Sequence, residues 1–87
     1  MDVKFRPEFD MARLVDEFKF ERVKPSLYVR PIVRERVVLH LVANTRRRSL
    51  EVRTPFGVAA FMEAHKEKFS DLIEADVVEF VKGKFDR

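Results

Sequence analysis

Apolar residues change their spacing twice along this chain, and each regime predicts different elements. Met11, Leu14, Val15 and Phe18 recur at i, i+3, i+4 and i+7, one stripe of a helix expected over residues 8–22. Pro7 suits its first turn. Glu8 and Asp10 lie early and Lys19, Arg22 and Lys24 late, as the helix dipole favours, and Pro25 ends it. The period then shortens. Val37 to Ala43 is apolar on both alternating sets and rich in β-branched residues, the pattern of a central strand. Leu50, Val52 and Thr54 alternate with Ser49, Glu51 and Arg53, a half-buried strand, and Asn44-Thr45-Arg46-Arg47 supplies the turn between the two. Residues 27–32 form a third strand, which Pro31 places at an edge or a bulge. Helical spacing returns with Val58, Phe61, Met62, His65 and Phe69, predicting a helix over 57–69. Ser70 or Asp71 then caps a last helix, carrying Ile73, Val77, Phe80 and Val81 to about residue 85. The expected fold is one small α+β domain over residues 1–87. It has a three-stranded antiparallel sheet and three helices in the order α-β-β-β-α-α, the helices mainly on one face.

Alternation assigns the faces. Leu27, Val29, Val33, Val37, Leu39, Leu41, Leu50 and Val52 are expected to pack on the helices. Tyr28, Arg30, Ile32, Arg34, Arg36, Val38, His40, Val42, Glu51 and Arg53 are expected to face outward.

Charge sharpens this picture. Residues 26–54 hold seven arginines, no lysine and two acids, a net +5, whereas residues 1–25 are neutral and residues 55–87 carry −2. A positive field confined to the middle third selects anionic partners, and nucleic acid is the most economical of them. Single-stranded nucleic acid, DNA or RNA, is held by cationic grooves along the phosphates and by side chains that stack on bases. Guanidinium does both. Arg30, Arg34, Arg36, Arg46, Arg47, Arg48 and Arg53 are the expected phosphate contacts. Tyr28 and His40 are the expected stacking groups, with Phe56 a weaker third. The competing expectation is a protein–protein assembly or adaptor subunit, because an apolar face ringed by arginine also suits an interface.

Signals for other classes are weak. There is no cysteine and no Gly-rich phosphate loop, and the two histidines, His40 and His65, lack metal-ligand spacing. The three serines have no nucleophile context. No enzyme activity, cofactor or metal is therefore expected, and His65 and most of the nine phenylalanines are assigned to packing. No apolar run approaches the ~20 residues of a membrane span, so no membrane association and a cytoplasmic location are expected. The absence of Gln, the single Asn and 38% charged residues are a thermophile tendency. The heavy phenylalanine load and the small size make a homodimer the expected state.

The stretch Arg48-Ser49-Leu50-Glu51-Val52-Arg53-Thr54-Pro55, followed by two helical patterns with Ser70-Asp71-Leu72-Ile73 at the second start, resembles the ribbon-helix-helix DNA-binding family. The resemblance covers fewer than half of the residues. It implies a second alternative, a dimeric duplex-DNA binder that reads the major groove with Ser49, Glu51 and Arg53.

Overall fold

A computed structural model describes residues 1–34, 36–59 and 62–83. It replaces the expected three-stranded sheet with a seven-stranded antiparallel one. The strands are β1 (Asp2–Phe5), β2 (Glu21–Lys24), β3 (Leu27–Arg34), β4 (Val37–Asn44), β5 (Ser49–Thr54), β6 (Gly57–Val58) and β7 (Val78–Val81). They run β2-β3-β4-β5-β1-β7 across the sheet, and β6 pairs with the far end of β5. Only two short α-helices are present among the described residues, α1 (Arg13–Phe18) and α2 (Ser70–Glu74), with a 3-10 segment at Met62–Phe69. The order α-β-β-β-α-α is thus incorrect. The three middle strands are where alternation puts them, but all three predicted helices are truncated.

Each truncation has a local cause. The helix expected over 8–22 ends at Phe18 because Lys19 turns left-handed, at φ 61°, and the Phe20 amide reaches back to the Leu14 carbonyl at 3.0 Å. With the Lys19 amide on the same carbonyl, a six-to-one bond, this closes a helix without glycine. It lets Phe18 and Phe20, two apart, both enter the core, and the chain continues as β2. Asp76 repeats the device at φ 57° after α2, with Val77 N–H on Leu72 O at 3.3 Å, and releases the chain into β7 rather than a long final helix. Pro55 opens a turn into β6, not a helix, so the strand-helix-helix order implied by the ribbon-helix-helix resemblance is absent.

The terminal strands extend the sheet beyond β5 and place β7 at its edge. Val3 opposes Leu50 on one side and Phe80 on the other. All the helical segments lie on one face. Leu14 and Phe18 from α1, Met62 and Phe69 from the 3-10 segment and Leu72 from α2 form one cluster with Val3, Phe5, Leu41, Ala43, Leu50 and Val52. Phe5, Phe9 and Phe18 pack ring on ring within it, at centroid distances of 5.7 and 6.1 Å. Phe5, Phe9, Phe18, Phe20 and Phe69 are buried in this core and Phe80 packs against it.

Candidate interaction face

Loop parity fixes which side chains face out. Arg34 pairs with Val37, so two residues separate β3 from β4 and even positions of β3 share a face with odd positions of β4. Tyr28 opposes Ala43, Arg30 opposes Leu41 and Ile32 opposes Leu39. Leu41 in turn opposes Val52. The expected faces are therefore right for β4 and β5 and inverted for β3. Tyr28, Arg30 and Ile32 lie on the helix-covered side, where Tyr28 and Ile32 pack against the core. Leu27, Val29, Pro31 and Val33 join Val38, His40, Val42, Glu51 and Arg53 on the other.

The inversion reassigns Arg30. Its guanidinium donates to both carboxylate oxygens of Asp71, at 2.6 and 3.0 Å, and to the carbonyls of Phe18, at 2.9 Å, and Lys68, at 3.2 Å. It also lies 5.1 Å from the centre of the Phe20 ring. One side chain, 17% exposed, ties the end of α1, the 3-10 segment and α2 to β3. Burial would raise the Asp71 pKa, but the Arg30 hydrogen bond and charge, with help from backbone N–H groups, hold it below the ordinary carboxylate value.

Arg48 is also structural. It adopts φ 52°, the left-handed position that completes the β4–β5 turn, and its guanidinium donates to the Arg6 and Phe9 carbonyls at 2.5 and 2.6 Å. In the same turn the Asn44 carboxamide oxygen accepts from the Arg46 and Arg47 amides at 2.9 and 3.0 Å. This shapes the loop and leaves both of those guanidiniums exposed. Arg53, on the outward face beside His40, lies 3.6 Å from the Glu51 carboxylate. Arg36 is exposed at the other end of β4. The Arg34 side chain lies outside the described residues.

The expected cationic face therefore does not form as one patch. Arg36 and the Arg46–Arg47 pair stand at opposite ends of β4, roughly 24 Å of strand apart. Tyr28, the one tyrosine, is half-buried on the helix-covered side, against the core. His65, expected at a core boundary, is half-buried, and Lys68 donates to its Nδ1 at 2.9 Å; burial and that ammonium lower its pKa. Among the described residues no cluster of three metal-ligating groups occurs, and no helix is long and apolar enough to cross a membrane.

The outward face is open toward the β3–β4 hairpin and β6. Val33 is 71% exposed, Val38 45% and Val58 55%, and Phe56 stands fully exposed on the β5–β6 turn. Val42 and Ser49, on the same face, are buried yet lie outside the core cluster. The sequence places Val38 and Val42 on this surface but assigns Val33 to the core face, because the face of β3 depends on the register of its pairing with β4. The signal that would have found it is the spacing between β3 and β4. At the border of this face a cavity of about 150 Å³ opens between Lys4, Arg47, Asp2 and Glu51. An anion entering it would meet two carboxylates as well as two cations.

The fold and face define a helix-backed antiparallel sheet with one bare side. No family model, curated protein or solved structure matches the chain.

Proposed function

We propose that this chain is a non-catalytic assembly module that holds a protein partner against the bare face of its sheet. The observation that carries this reading is the set of exposed apolar side chains there, Val33, Val38 and Val58, with Phe56 at the sheet end. Surfaces of this kind, apolar at the centre and rimmed by arginine, are what protein interfaces use. Fully burying each such side chain contributes roughly 1.5–3 kcal/mol, against which association costs are set.

Nucleic-acid binding is the second reading, favoured by the exposed guanidiniums of Arg46 and Arg47 and by Arg53 beside His40. Two of the seven arginines expected to serve it are held by the fold, and the stacking platform has lost Tyr28.

Binding of fluorescent oligo-dT and duplex at low and high salt, run beside capture of protein partners, separates the two. The assembly reading expects capture that survives high salt and is lost in a Val33→Lys/Val38→Lys variant. Oligonucleotide affinity that falls steeply with salt and disappears in Arg46→Ala/Arg47→Ala would replace it with the nucleic-acid reading.

A further inference from the structure

The two edges of the sheet are built differently. Edge strand β2, Glu-Arg-Val-Lys, is exposed at all four positions, charged at three, and shifts register between Arg22 and Lys24. A short, charged, bulged strand is a device that refuses further strands. Edge strand β7, Val-Glu-Phe-Val, keeps an unbroken register with β1 over four pairs and carries one charge, Glu79. That charge faces Arg6 of its own chain, 3.4 Å away.

Backbone parity shows what β7 offers. The Arg6 amide donates to Val77 O at 2.9 Å, which makes that pair a hydrogen-bonded one. By alternation Glu79 and Val81 aim their backbone groups at β1, and Val78, Phe80 and Lys82 aim theirs away from the sheet. No described strand lies beyond β7.

We propose that β7 pairs with β7 of a second copy, antiparallel and about a two-fold axis through Phe80. At the other side β2 covers β3 only over Leu27–Val29, and the stretch of β3 beyond it carries Pro31, which has no amide to offer, so that side resists extending the assembly into a fibre. The register follows from charge. Outward-pointing residues must form the hydrogen-bonded pairs, which leaves two central choices. Pairing Val78 with Phe80 of the second copy sets Glu79 against the same glutamate across the axis, a like-charge pair that is destabilising. Pairing Phe80 with its own counterpart sets Glu79 against Val81 and Val78 against Lys82, with no like charges opposed. The second register is the proposed one. Its axis is perpendicular to the sheet, so both bare faces end on the same side of one continuous sheet, doubling the surface on which the assembly reading depends.

Sedimentation of the intact chain over a wide range of concentration tests this. The expected result is a reversible monomer–dimer equilibrium with nothing larger. Val81→Lys, set against Glu79 of the second copy, tightens the dimer, and Val81→Glu weakens it, each by about two- to thirtyfold for two symmetric pairs. Lys82→Pro removes an outward amide without touching the β1 ladder, so it abolishes the dimer while the dilute protein keeps its thermal midpoint. A chain that stays monomeric, Val81 variants that shift in the same direction, or a dimer lost only in Val33→Lys/Val38→Lys would each overturn the pairing. The last result would put the dimer on the bare face and leave the assembly reading standing.

Discussion

Leu41 and Val42 are neighbours on one strand, and both are buried. Leu41 is sealed between Val52 across the ladder and the helical layer, inside the core cluster. Val42, one residue on, points the other way and lies outside that cluster. The same contrast separates Arg30 from Arg53. On the covered face an arginine becomes a structural tie with four oxygen acceptors on three segments. On the bare face it has one loose carboxylate neighbour and solvent. Which side of the sheet a residue occupies decides its role more than its chemical type does.

The largest test of that contrast is truncation on β4. Leu41→Ala should cost about 2–5 kcal/mol, as fully buried leucines do. Val38→Ala, on the bare face, should change stability by no more than about 0.5 kcal/mol. Urea unfolding of both variants measures the gap, and similar losses would break the comparison. The arginines give the next effect. Arg30→Ala leaves Asp71 and two carbonyls without their donor and should cost about 2–3 kcal/mol. For a domain of this size that lowers Tm by roughly 10–20 °C. Arg30→Lys should not restore it, because an ammonium cannot bridge the same four acceptors in a plane. Arg53→Ala should cost under about 1 kcal/mol, as exposed pairs do.

The smallest effect is in the pH dependence. Asp71 has a folded pKa below its unfolded one, so its contribution is present above about pH 4 and is lost as pH falls through the depressed folded value. The stability gap between wild type and Arg30→Ala should therefore narrow on going from neutral to acidic pH. Urea midpoints of the two proteins at both pH values measure it, and a constant gap would remove Asp71 from the tie.

Much of the middle of the fold was legible in the sequence. The alternation of Leu50, Val52 and Thr54 and the continuous apolar run of β4 predict those strands within a residue or so. The flanking regions were not legible for two reasons. Lys19 and Asp76 end helices in a left-handed conformation that only glycine or asparagine would have announced. The terminal strands β1 and β7 are four residues each and join the sheet only because they pair with one another and β1 pairs with β5, long-range contacts without local signature. The site was less legible than the fold. Whether Tyr28 and Arg30 face in or out depends on the parity of one short loop. Composition marks the arginines as a group, whereas the register divides them into structural ties and exposed cations.

Thiol labelling of single cysteines placed at Ile32, Val33, Val38 and Leu41 in dilute protein tests the bare face most directly. The structure predicts fast modification of Val33→Cys and Val38→Cys, and slow modification of Ile32→Cys and Leu41→Cys that tracks local opening. Protection of Val33→Cys with rapid labelling of Ile32→Cys would contradict it, because β3 would then face the other way and the arginine at position 30 would be free.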